Sequence, residues 1–334
     1  MSELTKNITW DDVKDDPNAI KVLDHGFVVL KETMGSDSTI AESARVSYGQ
    51  GTKTVNDDLH LIRYLLRHGH TSPLEMAEAR FLVKVPVFVW RQWIRHRTAN
   101  VNELSGRYSE LPNEFYTPTP GEWRKQSTTN KQGGEESMYY EHNDYLLLDY
   151  GDATIREQVI DTLIEEGNGT KSEDIHEAAN ALIRIRDSEK HMRAEEVGFD
   201  EYQRRIDVGV SRELARTCLP VSHYTMAYWK CDLHNLMHFM RLRMDSHAQK
   251  EIRDYANAIY TLLAPRYPIC IKAFEDYILK SVTFSRMELE LLGNMLKSSN
   301  GTGLTLFTET EGKRIGMSNR ELSEFAQKIS NITK

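Results

Sequence analysis

The sequence predicts an α+β fold, because segments with strand composition alternate with segments of helical periodicity. Residues 79–85 (ARFLVKV) and 221–229 (VSHYTMAYW) are rich in β-branched and aromatic side chains, as strands are. After the second segment, apolar residues recur at i, i+3, i+4 and i+7, the spacing of an amphipathic helix. No G-x-G-x-x-G follows a predicted strand, so a Rossmann dinucleotide domain is not supported.

The first predicted helix follows the first predicted strand directly. Pro86 suits the first turn of a helix that carries VFVWRQWIRHR, residues 87–97. Arg91 and Arg95 are four residues apart on this helix, with Gln92 beside them, so all three side chains can reach one face. We expect the segment to begin as a helix and to end as a loop.

The helix predicted after the second strand has an apolar and a polar stripe. Its apolar stripe consists of Leu233, Leu236, Met237 and Met240. Its polar stripe consists of His234, His238 and Arg241. Asp232 can cap this helix, and Ser246 can cap the next one, which is expected to end before Pro265. Arg243 lies near the bend between the two helices, where its guanidinium can point into a cleft.

The distribution of charge favours a small anionic ligand over a nucleic acid. The 334-residue chain has a net charge of −8, but residues 121–200 alone contain 19 Asp+Glu against 9 Lys+Arg. The rest of the chain is therefore nearly neutral. Residues 91–108 carry four Arg against one Glu, a local positive focus in a weakly charged body.

Composition predicts a cytoplasmic protein with no membrane partner. No apolar run approaches the length of a membrane span, and the N-terminus lacks the apolar region of a signal peptide. Cys218, Cys231 and Cys270 form no CxxC pair, and each lies among apolar neighbours. We expect all three cysteines to be small core residues.

The most informative motif is Arg95-His96-Arg97, followed after seven residues by Ser105-Gly106-Arg107. Arginine side chains offer planar sets of N–H donors, and a Ser-Gly turn offers free backbone N–H groups. This combination suits phosphate far better than it suits an apolar core. The motif therefore predicts an anion-binding site.

The full stretch RHRTANVNELSGRYS resembles the signature of the flavin-dependent thymidylate synthases, in which RHR is followed after seven residues by Ser. Four further stretches resemble the same family in order and approximate spacing: residues 44–47, 70–75, 212–220 and 242–249. The resemblance extends over roughly residues 20–120 and 200–280.

The resemblance implies a mixed sheet with flanking helices and a specific reaction. That reaction is methylation of dUMP to dTMP, with methylenetetrahydrofolate as carbon donor and FAD, reduced by NADPH, as hydride source. Arg243 matches the catalytic position of the family, where a guanidinium stabilises negative charge as it develops on the uracil ring. No cysteine nucleophile is then required. Family members are homotetramers with sites shared between subunits.

The resemblance also implies two sets of ligand-binding residues. The residues at dUMP-binding positions are Gln92, Arg95, Glu103, Leu104, Ser105, Gly106, Arg107, Arg216 and Arg243. The residues at FAD-binding positions are Ser72, Glu75, Arg95, His96, Arg97, Glu103, Asp232, His234 and His238. Ser47 and His70 are further candidates near the flavin. The last three FAD positions depart from the family pattern, which has Asn, Arg and Asn there.

The motifs divide the chain into four predicted parts. The catalytic domain comprises residues 1–120 and 197–285, interrupted by an acidic, mostly helical insertion at 121–196 and followed by a C-terminal extension at 286–334. The insertion contains no family motif. It begins with the linker-like QSTTNKQGG and continues with charged stretches of helical spacing, so we interpret it as a surface elaboration without a catalytic role.

Two other classes of function remain open from the residues alone. His234 and His238 at i, i+4, with Asp232, Asp245 and His247 nearby, can supply the ligands of a metal-dependent phosphohydrolase. The Glu of H-E-x-x-H is missing from this stretch. A non-catalytic nucleotide- or RNA-binding module is the third possibility. Neither alternative explains why the arginine motif, the His70 stretch and the Arg243 stretch occur together.

Overall fold

The computed structural model of the chain describes residues 7–47, 57–119, 122–127, 134–137, 172–298, 313–314 and 319–332. The chain divides into two compact units, residues 1–273 and residues 274–334. The four-part organisation predicted from the motifs stays a prediction.

The strands, in chain order, are β1 (Ala19–Val22), β2 (Gly26–Met34), β3 (Glu78–Pro86), β4 (Asn100–Glu103), β5 (Arg124–Gln126), β6 (Gly134–Ser137) and β7 (Tyr224–Asp232). Five of them form one sheet in the order β1-β2-β3-β7-β4, and β5 pairs with β6. Every neighbouring pair is antiparallel. The predicted α+β class is confirmed, and both predicted strands are present as β3 and β7.

The helices, in chain order, are α1 (Asp37–Arg45), α2 (Asp58–Arg67), α3 (Val87–Trp93), α4 (Ser172–Asp207), α5 (Arg212–Ala215), α6 (Leu233–Arg243), α7 (Lys250–Leu263), α8 (Pro268–Phe274), α9 (Arg286–Ser298) and α10 (Asn319–Ile332). Short 3-10 turns at Trp10–Asp12, Leu74–Met76 and Arg216–Cys218 and a π-helical turn at Glu275–Leu279 complete the described elements. None of the described helices combines the length and apolar content needed to cross a membrane.

Aromatic packing fixes α3 against the sheet and the late helices. Trp93, at the end of α3, is fully buried and its ring centroid lies 5.3 Å from that of Trp229 on β7 and 5.0 Å from that of Phe239 on α6. Tyr255 of α7 contacts the same indole edge-on at 5.7 Å. Large aromatic contacts of this kind stabilise one arrangement of the elements. The segment that follows α3 is thereby held close to α6.

A polar contact secures the turn between β1 and β2 to β7. Leu23 in this turn has φ +59°, a conformation that is unfavourable for residues with a Cβ. The next residue, Asp24, accepts hydrogen bonds from the Tyr224 hydroxyl at 2.5 Å and the Thr117 backbone N–H at 3.1 Å. Because these bonds cross between distant segments, they hold Tyr224 in one position on β7.

The predicted pattern of α6 is confirmed. Leu233, Leu236, Met237 and Met240 are all buried. Asp232 is the N-cap, and its Oδ1 accepts the Asn235 backbone N–H at 2.9 Å. The apolar stripe of this helix therefore faces the core, and the stripe of His234, His238 and Arg241 lies on its partly exposed side.

Two predicted helix boundaries are wrong. α3 ends at Trp93, so Arg95 lies in the turn beyond it and does not share a helical face with Arg91 and Gln92. Ser246 does not cap the following helix, which begins at Lys250. The side chain of Asp245 instead accepts the backbone N–H of His247 at 2.8 Å, and this local turn delays the helix.

The described part of the acidic segment contains the β5–β6 hairpin and α4. The predicted helical stretch at 175–196 lies within α4, whereas the stretch at 155–167 lies outside the described residues. The linker-like QSTTNKQGG joins the two strands of the hairpin, and most of it also lies outside the described residues.

The second unit, residues 274–334, has an apolar core of its own. Leu291 on α9 and Leu322 and Phe325 on α10 are buried together. Lys328 Nζ donates to Glu288 Oε1 at 2.6 Å, and Glu288 Oε2 accepts the Ser285 backbone N–H at 2.6 Å. These contacts join α10 to the start of α9.

Candidate functional site

A cavity of about 200 Å³ lies where the loop after β4 meets the start of β7. Its wall includes four residues from the predicted nucleotide set: Glu103, Leu104, Gly106 and Arg216. The other lining residues are Val87, Leu111, Leu219, Pro220, Val221, His223, Tyr224 and Thr225. The structure therefore brings together sequence motifs that are more than a hundred residues apart.

Gly106 is required by the packing at the cavity wall. It is buried, and a Cβ built on it would lie 3.0 Å from Leu111 Cδ1 and 3.1 Å from Arg216 Cδ. A side chain here would require Leu111 or the stem of Arg216 to shift by a few tenths of an ångström. The glycine thus allows the Arg216 side chain to pass along the loop and reach the cavity.

The turn that begins at Ser105 presents unused backbone donors. Ser105 O accepts the backbone N–H groups of Tyr108 and Ser109, and Ser105 Oγ accepts that of Arg107 at 3.3 Å. Within the described ranges, the N–H groups of Ser105 and Gly106 themselves donate to no protein atom. Successive free N–H groups in a turn are a common means of binding phosphate.

Three arginine side chains of the motif, Arg95, Arg97 and Arg107, are exposed and open to a ligand. Arg95 and Arg97 are exposed and form no ion pair with any described residue. Arg107 Nε lies 3.5 Å from Glu213 Oε2, and both of these side chains are more than half exposed. An exposed pair of this kind contributes little to stability, so a bound anion can displace the carboxylate at small cost.

Glu103 ends β4 and has both carboxylate oxygens occupied. Trp90 Nε1 donates to Oε2 at 2.9 Å, and Thr225 Oγ1 donates to Oε1 at 2.8 Å. The main chain beside it is also fixed, since Leu104 N donates to Met226 O at 2.8 Å. The carboxylate is therefore held in one orientation at the cavity wall.

Arg243, the predicted catalytic residue, does not line the cavity in the described part of the chain but contacts the arginine motif. Its Nε donates to His96 Nε2 at 3.0 Å, and its Nη2 donates to the Gln92 carbonyl at 3.2 Å. Burial, together with the charges of Arg243 and His238, lowers the pKa of His96 from 6.5 to about 4. His96 is therefore neutral near pH 7 and accepts through Nε2.

A third group of predicted residues lies along α6. The 3-10 turn Leu74–Met76 contacts this helix, and Leu233 N donates to Ala77 O at 2.8 Å. Ser72 and Glu75 are exposed beside that turn. The His238 ring centroid lies 5.7 Å from that of His96, and burial and nearby cationic side chains lower the His238 pKa.

The two weaker flavin candidates follow the C-terminal ends of α1 and α2. Ser47 is an exposed turn residue directly after α1. His70 follows α2, and its ring contacts that of Tyr64 edge-on at 5.6 Å between centroids. In the described part of the chain, neither side chain lines the cavity or forms a hydrogen bond with α6, so their assignment stays a prediction.

The structure gives the metal-dependent alternative no support. Asp232 uses Oδ1 to cap α6 and Oδ2 to accept from the Asn235 side-chain amide at 2.8 Å. Asp245 is engaged with His247. Across the described residues, no three His, Cys, Asp or Glu side chains are arranged to hold a metal ion.

The cysteines are positioned as structural residues. Cys231 and Cys270 are buried, and burial raises the pKa of both thiols well above the usual range. Cys218 is half-buried, and its Sγ donates to Ala215 O at 3.2 Å and Gly198 O at 3.5 Å. The prediction of full burial is confirmed for two of the three.

Several residues of the site have no counterpart among the sequence-based candidates. Trp90 and Thr225 hold Glu103, and His223, Tyr224 and Leu111 line the cavity. The predicted strand at 221–229 is confirmed from Tyr224 onward, where β7 begins. Successive side chains of that strand point to opposite faces of the sheet. This alternation does not identify which face lies against the Ser-Gly loop.

Comparison with known proteins places these motifs in one family. The family described as thymidylate synthase complementing protein matches residues 28–269. A flavin-dependent thymidylate synthase of Wolbachia pipientis wMel is 45% identical over 282 residues, which cover 84% of this chain and 85% of that protein. One from Dictyostelium discoideum is 45% identical over 300 residues, covering 87% and 85%. One from Thermus thermophilus is 44% identical over 280 residues, covering 84% and 87%.

Solved structures agree with the sequence comparison. A UMP/dUMP methylase, PolB, from Streptomyces cacaoi, bound with 5-Br dUMP, is similar with a TM-score of 0.57 and 30% identity. The match covers 78% of this chain and 99% of that one. The same protein bound with 5-Br UMP gives a TM-score of 0.54 and 32% identity, with 78% and 98% covered. The sequence, the sheet and the residues of the cavity lead to one conclusion: this chain is an enzyme that belongs to the flavin-dependent thymidylate synthase family.

Proposed function

We propose that the protein methylates dUMP to dTMP, with methylenetetrahydrofolate as carbon donor, FAD as bound cofactor and NADPH as reductant. The observation that carries this proposal is the cavity lined by Arg216, by Glu103 and by Leu104 and Gly106 of the loop that follows. The donors beside it suit the phosphate group of a nucleotide. The similar PolB structure bound with 5-Br dUMP supports a pyrimidine nucleotide as the substrate class.

The phosphate of dUMP is assigned to the Ser-Gly turn. The free N–H groups of Ser105 and Gly106, the Ser105 hydroxyl and the Arg107 and Arg216 guanidinium groups supply donors from two sides of the turn. Charge-assisted contacts from planar guanidinium groups are the strongest of these. Gln92 and Arg95 complete the assigned set, together with Leu104 in the same loop.

Arg243 is assigned to the uracil ring. Its Nε and one hydrogen of Nη2 are used by His96 and the Gln92 carbonyl, which leaves both hydrogens on Nη1 for a ligand. A guanidinium that is already fixed stabilises negative charge on the ring without having to reorganise, and that charge makes C5 nucleophilic. The neutral state of His96 keeps its Nε2 an acceptor for Arg243.

The donors of the arginine motif and of α6 fit FAD. The exposed guanidinium groups of Arg95 and Arg97 have no carboxylate partner in the described ranges, and a pyrophosphate would supply the missing negative charge. The capping bonds of Asp232 turn its carboxylate toward the start of α6. Bound FAD, once reduced by NADPH, supplies a hydride to the transferred carbon. The further residues assigned to this site are Ser72, Glu75, His96, Glu103, His234 and His238.

We assign the active form to a homotetramer with sites shared between subunits. Large apolar side chains are exposed on the first unit, among them Met34, Met76, Val101 and Tyr108. Val101 lies on β4, at one edge of the sheet. Exposed apolar side chains near an open strand edge favour association with another chain.

Purification and a turnover assay test the proposal together. We expect a yellow protein whose visible absorption bleaches with NADPH, and dTMP formation that requires dUMP, methylenetetrahydrofolate and NADPH. Omission of any one substrate is the control. A colourless protein that neither retains nor takes up FAD would contradict the proposal, as would dTMP formation without flavin.

A further inference from the structure

The Glu103 carboxylate is restrained by two neutral donors from different elements of the fold. Trp90 donates from α3 at 2.9 Å and Thr225 donates from β7 at 2.8 Å, one to each oxygen. Neither donor carries a charge. The two bonds therefore limit rotation of the carboxylate without placing a cation beside it, and each oxygen retains a further lone pair for a ligand.

Both donors are themselves fixed by packing. Trp90 is 2% exposed, and its ring centroid lies 5.7 Å from that of Trp93. Thr225 is 7% exposed and lies opposite Val85 in the register of β3 with β7. Because α3 and the sheet are rigid elements, the position of the carboxylate is set before any ligand arrives.

Without the hydrogen bonds from Trp90 and Thr225, the Glu103 carboxylate would be free to form an ion pair with an arginine. Arg216 lines the same cavity and forms no ion pair with any residue that the structure describes. Glu103 and Arg216 carry opposite charges on the wall of one cavity, so they attract each other. A free Glu103 would therefore turn toward a guanidinium, which would remove one acceptor and one cation from the site at the same time.

We propose that Trp90 and Thr225 are positioning residues of the nucleotide site, which keep the Glu103 carboxylate apart from the arginines. Arg216 then stays free for the phosphate, and Glu103 stays free to accept a donor group of the nucleotide. This inference rests on the proposed function, because it takes dUMP as the ligand of the cavity.

The first test removes one donor with almost no change in shape. In the FAD-loaded enzyme without folate, Thr225→Val should raise the dissociation constant of dUMP about tenfold, as expected for loss of a hydrogen bond to a charged group. The same change in a Glu103→Gln background should raise it less than about twofold, because a neutral amide is not drawn to a guanidinium. Both constants are measured by isothermal titration calorimetry.

The second test uses the neighbouring tryptophan as a matched control. Trp93 is also buried on α3, but its Nε1 has no hydrogen-bond partner among the described residues. Trp90→Phe and Trp93→Phe therefore remove the same atoms, and only the first removes a bond to Glu103. We expect weaker dUMP binding in Trp90→Phe and unchanged binding in Trp93→Phe, with melting temperatures measured for both.

The outcomes separate this inference from the proposed function. If the unmodified holoenzyme does not bind dUMP, both are wrong. If it binds dUMP but Thr225→Val costs as much in the Glu103→Gln background as in the wild type, only the positioning role is wrong. If Glu103→Gln binds too weakly to titrate, the tryptophan pair decides, and equal losses in the two variants overturn the inference.

Discussion

Arg243 donates through Nε to His96 Nε2 and through Nη2 to the Gln92 carbonyl, partners that lie 147 and 151 residues away in sequence. These two contacts, through Nε and Nη2, fix the plane of the guanidinium and leave the hydrogens of Nη1 for a ligand. A lysine ammonium is a single point charge on a flexible stem and cannot make both contacts while it reaches a ring.

We therefore expect that Arg243→Lys loses dTMP formation by roughly 10²–10³-fold, the usual cost of removing a fixed donor to a developing charge. Reduction of the bound flavin by NADPH should persist, because that reaction does not involve the uracil. Arg241→Lys, on the exposed side of the same helix, is the matched control. Near-normal turnover in Arg243→Lys would mean that only the charge matters.

The neutral state of His96 predicts a pH dependence of stability. The pKa of this histidine is lowered from 6.5 to about 4 by burial and by Arg243 and His238, so the unfolded chain binds a proton at higher pH than the folded one. The contribution of neutral His96 to the free energy of unfolding is complete above pH 6.5, and it is lost as the pH falls from 6.5 to about 4. Since the side chain is only half-buried, we expect the free energy of unfolding to decrease by about 1–2 kcal/mol over this range.

Denaturant unfolding of the wild type and of His96→Gln at several pH values between about 7.5 and about 4 measures this effect. Glutamine can accept from Arg243 without titrating, so its free energy of unfolding should fall less over the same range. His223 also has a lowered pKa, and because it does not contact His96 its contribution cancels in the comparison. Parallel curves for the two proteins would show that His96 does not carry the effect.

At the scale of elements, local patterns predicted the interior of helices and strands better than their ends. The apolar stripe of α6 and the composition of β3 are local properties, and both were predicted correctly. The end of α3 depends on a distant residue, because the Gln92 carbonyl in its last turn is satisfied by Arg243. No pattern within residues 87–97 contains that information.

In the candidate site, too, features local to one stretch of sequence were predicted and features that depend on distant residues were not. The Ser105-Gly106 loop was identified because its residues are contiguous in the sequence. The walls formed by Leu111 and Tyr224 were not, because they come together only when β7 pairs with β4 and the loop packs across both. Contacts of this kind are set by tertiary structure, which a single sequence does not reveal.

Helix α4 supports the cavity from outside it. Tyr202 is fully buried, and its hydroxyl accepts the Leu111 backbone N–H at 2.9 Å. Leu111 in turn packs against Gly106 at the cavity wall. The backbone of Gly198, one turn earlier, packs against Pro220 on the other wall. The end of α4 therefore contacts both segments that form the site.

We expect that Tyr202→Phe raises the KM for dUMP about two- to tenfold with little change in kcat, because Leu111 loses one neutral hydrogen bond. Tyr267→Phe is the control, since Tyr267 is equally buried but its hydroxyl bonds to Met34 O and Glu78 O, away from the cavity. Steady-state kinetics and melting curves separate the two effects. An equal rise in KM in both variants would mean a general loss of packing.

At the scale of the whole molecule, the residues assigned to dUMP and FAD lie in separate groups within one chain. Arg216 and Glu103 line the cavity, whereas Arg243 contacts the arginine motif and Glu75 lies beside α6. The exposed guanidinium groups of the motif have no carboxylate partner in the described chain. This arrangement is the one expected if a neighbouring chain completes each site, which a single sequence cannot display.

The shared-site proposal predicts complementation between two inactive variants. Arg97→Ala and Glu75→Ala are each expected to lose FAD and activity. When the two are co-expressed, a site can take Arg97 from one chain and Glu75 from another. Such a site is intact when the Glu75→Ala chain supplies Arg97 and the Arg97→Ala chain supplies Glu75. Random assembly should then restore up to about a quarter of the wild-type activity in the mixed oligomer. Light scattering should give a mass about four times the 38.6 kDa of the chain.

Two further mixtures make this result decisive. Arg97→Ala co-expressed with an Arg97→Ala,Glu75→Ala double variant should stay inactive, because no chain then provides Arg97. Wild type co-expressed with the double variant measures how much activity mixing alone removes. If the two single variants bind no FAD when mixed, although each assembles into an oligomer of normal mass, Arg97 and Glu75 act within one chain. That outcome would contradict sites shared between subunits while leaving the assignment of each residue to FAD intact.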